Sequence, residues 1–268
     1  MDNLHRALAP ISEQAWAQIE EEAARTLRRH LAGRRVADVH GPAGDAFAAV
    51  GTGHTVPIDP PGEGVLAHQR QVRALVELRV PFTLDRQQID DVARGSQDSD
   101  WQPVKDAARQ LAFAEDRTIF EGYPAAGITG IGPGSNQPAA ALPADARDYP
   151  EAIAKALGQL REAGVSGPYA VVLSPAAFTA ASETSDHGYP VIEHIRRLID
   201  GDIVWAPAID GAYVLTTRGG DFDLQLGQDA SIGYLGHTEA DAMLYLQESL
   251  TFGVCTSEAA VTLTPARG

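Results

Sequence analysis

From Val72 to Asp85 the chain alternates with a period of two. Val72, Ala74, Val76, Leu78, Val80, Phe82 and Leu84 fall on one face, and Arg73, Leu75, Glu77, Arg79, Pro81, Thr83 and Asp85 on the other. Successive side chains of a strand point to opposite faces, so the pattern predicts one half-buried strand over 72–84. Such a strand reaches beyond an ordinary domain, where strands run to roughly five or six residues. It follows a Gly- and Pro-rich stretch, 41–64, of weak periodicity. A long strand behind a loose partner predicts a hairpin that projects from the body. Pro81 cannot donate to a ladder, which points to an edge or exposed position.

The longest helix signal follows, over 99–121. Ser99 or Asp100 can cap it, Pro103 suits its first turn, and Gly122 can end it in the left-handed conformation. Val104, Ala108, Leu111, Ala112, Phe113 and Ile119 make an apolar stripe at helical spacing. An earlier helix is expected from a Ser12 cap to about Ala32, with Trp16, Ile19, Ala23, Leu27 and Leu31 on one face and Gly33 as its stop. Gly130-Ile-Gly132-Pro-Gly134 has no helix after it and is read as a loop, as is the whole of 125–143. Residues 145–217 alternate helix and strand, an α/β unit. Within it, 182–189 reads as a polar loop. Strands are expected over 221–226, 230–234 and 243–254, with Val261 and Leu263 closing the same sheet and a tail at 265–268.

Charge and composition narrow the function. A net charge of −15 disfavours nucleic acid and anionic membrane as partners. No apolar run approaches the roughly 20 residues of a membrane span, and no signal peptide is read in the first residues, so a cytoplasmic protein is expected. Cys255 is the only cysteine, which excludes an intrachain disulfide and a cysteine metal site. Lys105 and Lys155 are the only lysines, and neither follows a glycine run, so no phosphate-binding P-loop is present. There is no Gly-x-Ser-x-Gly elbow, and the histidines form no metal spacing. No catalytic residue, metal or cofactor is expected.

Several stretches, in order along nearly the whole chain, resemble the encapsulins, the shell proteins of bacterial and archaeal nanocompartments. They are LHRALAPISEQAW from Leu4, GRRVADVHGP at 33–42, LRVPFTLDRQQIDDVARG at 78–95 and EDRTIFEG ending at Gly122. They continue with GPYAVVLS at 167–174, DHGYP at 186–190, TTRGGDFDLQLGQDASIGY at 216–234 and LYLQESLTF at 244–252. The similarity is greatest to classical, actinobacterial members. It implies an α+β fold, that of tailed-phage (HK97-like) capsid proteins. It also implies an N-terminal arm and inner-surface helix over 1–35. The peripheral domain would comprise 36–46, 84–130 and 220–265, with 99–121 as its spine helix. The extended loop would be 47–83 and the axial domain 131–219. A projecting strand makes a poor monomer but makes sense in a shell whose neighbours bury it.

The resemblance further implies a homo-oligomeric icosahedral shell, roughly sixty copies in its smallest form. Cargo enzymes would be recruited by a C-terminal targeting peptide docked inside. Arg34 and Asp38 match family positions that meet the peptide, and Leu27, Leu31 and Ile232 are the candidates for its apolar pocket. The competing reading of Arg34 and Asp38 is a local salt bridge at a helix end. Thr184, Ser185, Asp186, His187, Gly188 and Tyr189 match the loop lining a five-fold pore, where Asp186 and His187 would set charge and pH response; a tolerant surface loop is the alternative. Cargo in actinobacterial relatives includes dye-decolourising peroxidase and ferritin-like proteins, between which the sequence does not choose. Some relatives carry an aromatic residue for flavin within 85–88; Asp-Arg-Gln-Gln stands here, so no flavin is expected. A bacteriocin-like protease and a prophage major capsid protein are the rival readings.

Overall fold

The structure, a computed structural model, describes residues 3–265. Residues 1–2 of the expected arm and 266–268 of the expected tail lie outside the described residues. Helix α1 (Glu13–His30) starts at Ser12, whose hydroxyl accepts from the Ala15 N–H at 3.3 Å. It buries Ala15, Ile19, Ala23 and Leu27. After a short strand β1 (Asp38–His40) come β2 (Ala49–Ile58), β3 (Ala67–Ala74), β4 (Val76–Asp85) and helix α2 (Arg86–Ala93). The spine helix α3 (Gln102–Phe120) packs against α1 and β4.

The spine begins later than its capping signal. Trp101 is the residue before its first turn; Asp100 accepts from the Gln102 N–H at 2.9 Å, while Ser99 donates to the Gln88 carbonyl. Gly122 ends it with φ 87°. A Cβ there would lie 2.7 Å from the Gly130 nitrogen, so glycine is also what lets the 128–130 segment close against the helix end.

The alternating stretch is two strands rather than one. β3 pairs antiparallel with β2 as an isolated hairpin, whereas β4 pairs antiparallel with β13 (Asp241–Val254) in the main sheet. Leu75 is the hinge, its N–H bonded to the Ala48 carbonyl. β4 has β13 as its sole strand partner among the described residues, which suits Pro81. β2 itself lies in a region expected to be loop. Gly51, Gly53 and Pro57 obscure its pattern, and its ladder with β3 carries an irregularity between Gly51 and Thr55.

The remaining elements are α4 (Ile131–Gly134), β5 (Ala140–Leu142), α5 (Tyr149–Glu162), β6 (Tyr169–Leu173), α6 (Pro175–Glu183), β7 (Ser185–Asp186), β8 (Tyr189–Pro190), α7 (Val191–Arg196), β9 (Ile203–Trp205), β10 (Ala212–Thr216), β11 (Phe222–Leu226), β12 (Ser231–His237) and β14 (Ala260–Pro265). Thus the expected loop 125–143 holds the end of a 3-10 turn (Pro124–Ala126), the single turn α4 and a short strand.

Two sheets organise the chain. In the first, β13 is central: β4 runs along one side, and β11 and β12 lie in tandem along the other, with β1 added parallel to β11. Leu244, Leu246, Leu250 and Phe252 of β13 are buried. The second sheet has the order β5-β14-β10-β6-β9 and packs with α5, α6 and α7 around Ile153, Leu157, Leu160, Val171 and Val191. β14 pairs with β10 and β5. Val261 and Leu263 therefore lie inside the α/β sheet, between β5 and β10, and do not close the sheet containing β13, so the stretch 220–265 does not stay in one layer.

Candidate functional site

The end of α1 is fixed by a buried carboxylate. Asp116 on α3 accepts from the N–H groups of Ala32 at 3.0 Å and Gly33 at 2.8 Å. Burial pushes the Asp116 carboxyl up to about 7, against the lowering effect of those two bonds. Gly33 permits the approach, since a Cβ there would meet Ile119 Cδ1 at 2.5 Å. The single turn Gly33–Arg35 then directs Arg34 into the body.

Arg34 holds three carboxylates. Its Nε and Nη2 grip both oxygens of Glu115 on α3, at 2.8 and 2.6 Å, a fork-to-fork pairing. Nη1 donates to Asp229, between β11 and β12, at 2.8 Å, and Nη2 reaches Glu248 on β13 at 3.3 Å. Glu115 and Glu248 are buried, while the Asp229 side chain is half exposed. Burial works against the guanidinium charge, but the bonds and charges of Glu115 and Asp229 outweigh it and hold Arg34 above its ordinary range. Glu248 is raised well above the ordinary carboxylate value, first by burial and then by Glu115. One cation among three acids leaves Glu248 the group that takes up a proton.

The other proposed dock residues divide between two places. Leu27, Leu31 and Ile232 come together in the cluster under α1, α3 and β13, where Leu27 and Ile232 are buried and Leu31 half-buried. Asp38 lies across the sheet on β1, where its Oδ2 accepts from the Gly220 N–H at 2.6 Å beside a small cleft lined by Arg35, Thr217 and Gly219. Arg34 and Asp38 make no bond to each other among the described residues; each serves a different contact.

Thr184 caps the end of α6. Ser185 and Asp186 pair with Tyr189 and Pro190, with His187 (φ 47°) and Gly188 (φ 85°) at the turn. Two successive positive φ values make a tight hairpin of the primed type. The His187 side chain is 92% exposed and stands 3.8 Å from Asp186 Oδ1. Tyr189 packs edge-on to His194 and carries the Arg197 guanidinium over its ring, which ties the hairpin base to α7.

The family described as an encapsulating protein for peroxidase matches residues 1–251. A type 1 encapsulin shell protein of Rhodococcus erythropolis is 64% identical over 98% of this chain and 100% of its own length. Its Mycobacterium tuberculosis counterpart is 62% identical over 98% and 99%. The chain belongs to the encapsulin shell-protein family. Likeness to solved particles agrees at the level of fold. A virus-like particle from Pyrococcus furiosus superposes with TM-score 0.64 at 16% identity, over 92% of this chain and 98% of that one. The capsid of Myoviridae phage XM1 does so with TM-score 0.54 at 10% identity, over 87% and 90%. The fold is the HK97-like capsid fold, and the family is structural rather than catalytic. Among the described residues no cluster of three His, Cys, Asp or Glu side chains could hold a metal ion, and no helix is long and apolar enough to cross a membrane.

In this encapsulin the sequence reading singled out Arg34 but not its partners. Glu115, Asp229 and Glu248 come from separate elements, and nothing local marks them as a set. The one usable signal was the adjacent acidic pair Glu115-Asp116 on the buried side of the spine helix. Neighbouring acids there require partners, and the two partners lie at the end of α1.

Proposed function

We propose that the chain assembles into a closed icosahedral shell, of roughly sixty copies in the smallest form, as a cytoplasmic nanocompartment for cargo enzymes. The observation that carries the assembly is the β2–β3 hairpin. It is a two-stranded sheet with no further strand among the described residues, and Ile58, Val65, Leu66 and Val72 stand exposed on it, Leu66 at 90%. An isolated hairpin is at best marginal in water, and exposed apolar groups on such an arm mark a surface for a neighbouring copy. The hairpin and β1–β11–β13 would then belong to the extended loop and peripheral layers, and the α5–β10 unit to the axial domain.

Cargo is proposed to enter through a targeting peptide docking on the inner face near Arg34, Asp38, Leu27, Leu31 and Ile232. The family description, which names a peroxidase as what is encapsulated, supports a peroxidase cargo; a ferritin-like protein is the second candidate. With Leu27 and Ile232 buried, the peptide's apolar anchors would approach over Leu31, and its polar groups would meet Asp229 or the Arg34 fork. The 184–189 hairpin is proposed to line a pore, where Asp186 and the exposed His187 would repeat around the axis.

Electron microscopy of size-excluded protein co-expressed with a peroxidase bearing its C-terminal tail tests both parts. Uniform hollow particles are expected, and a stable monomer or dimer would rule out the shell. With Asp38→Arg, particles should persist but lose cargo; full loading would remove Asp38 from the dock.

A further inference from the structure

Between α1 and α3 lies an open groove of 350 Å³. Arg25 and Arg29 face it from α1, and Lys105 and Arg109 from α3. On each helix the two cations are one turn apart, an arrangement in which like charges repel. Two carboxylates share the groove, and both are occupied: Glu22 by Arg25 and Lys105, Asp106 by Arg109 at 3.0 Å and Gln102 at 3.1 Å. The Arg29 side chain makes no hydrogen bond or ion pair among the described residues. With four cations against two carboxylates, the groove keeps an excess of positive charge in a chain whose net charge is −15.

One wall of the groove is aromatic. Trp205, at the end of β9, is half-buried and lines it, and the His30 ring packs 5.9 Å from both Trp205 and Phe113. His30 Nδ1 lies 2.7 Å from the Thr26 carbonyl oxygen, which fixes the ring's orientation. A flat aromatic wall beside four cations suits a flat, anionic ligand, and the volume falls in the range of about 300–1,000 Å³ usual for small-molecule sites.

We propose that this groove binds a nucleotide, with its phosphates among Arg29, Lys105 and Arg109 and its base against Trp205. The proposal is independent of the cargo dock, since none of these residues belongs to it. Cation–phosphate contacts at an open site weaken as salt screens them.

The test is calorimetric titration of intact assembled shells with ATP at low salt, and in parallel with inorganic tripolyphosphate. ATP is expected to bind, more tightly than tripolyphosphate and with quenching of tryptophan fluorescence. Arg29→Glu should weaken ATP about tenfold by placing like charge beside the phosphates, and Arg109→Gln should weaken it less. Both side chains are exposed, so neither change threatens the fold. Absence of ATP binding, or unchanged affinity in both variants, would overturn the site. Equal affinity for tripolyphosphate would overturn it too, because the Trp205 wall would then contribute nothing.

Discussion

The β2–β3 hairpin and the Arg34 junction are opposites. The hairpin presents Leu66, Val65 and Ile58 to solvent and has no strand neighbour among the described residues. The junction buries Glu115, Asp116 and Glu248 and engages them within the chain, leaving only one oxygen of Glu248 without a partner. The hairpin is joined to the body chiefly through its base. Arg73 crosses the bare face of Gly253 to pair with Asp223, and Leu75 bonds to Ala48. Stability of the junction is therefore a property of one subunit, whereas stability of the hairpin depends on what covers it.

The sharpest way to break this contrast is Arg34→Ala. It leaves Glu115 and Glu248 buried without their cation, and removal of one partner from a buried pair costs about 3–5 kcal/mol. Denaturant unfolding of the isolated subunit should show that loss; an unchanged midpoint would mean that water, rather than Arg34, satisfies the acids. At the hairpin the effect should be reversed. Leu66→Asp is expected to shift the subunit's own stability by no more than about 0.5 kcal/mol, yet to abolish particles in size exclusion and microscopy. Particles of normal size would show that the tip has no neighbour.

The smallest effect expected is on pH dependence. The folded-state values of Asp116 and Glu248 are raised, so their contribution is fully present below the ordinary carboxylate range and is lost as pH rises, for Asp116 through about 7. Subunit stability should therefore decline between about pH 4 and 7 from these groups. Glu248→Gln, which keeps the shape and removes the titration, should flatten that slope; an unaltered slope would assign it elsewhere.

Much of this was legible in the sequence, and the failures share a cause. α1 and the spine follow from periodicity because each buries one continuous face; β13 follows from its alternating apolar residues, although its polar face, with Gln247 and Thr251, is buried as well. The break at Leu75 was invisible because side-chain alternation runs unbroken from Val72 to Leu84 while the partner strand changes from β2 to β13. Alternation marked the covered face only within β4; in β3 the apolar Val72 and Ala74 stand exposed, because that strand has left the sheet. Because alternation does not name the partner strand, Val261 and Leu263 were placed in the wrong sheet. At the site, Arg34 and Asp38 were singled out only through family likeness, and the partners that the fold gives Arg34, namely Glu115, Asp229 and Glu248, come from three separate elements. The burial of Leu27 and Ile232 likewise depends on packing among α1, α3 and β13.

The division at Leu75 also has a mechanical side. The covalent strand that leaves the projecting hairpin continues directly as the 10-residue β4, laid along β13 through Asp241–Leu250. A pull on the arm runs parallel to that ladder and loads its hydrogen bonds in shear, all together, instead of peeling them one at a time. An arm mounted this way transmits tension into the centre of the sheet, and a wall built from such subunits would carry outward pressure as stretch along its strands.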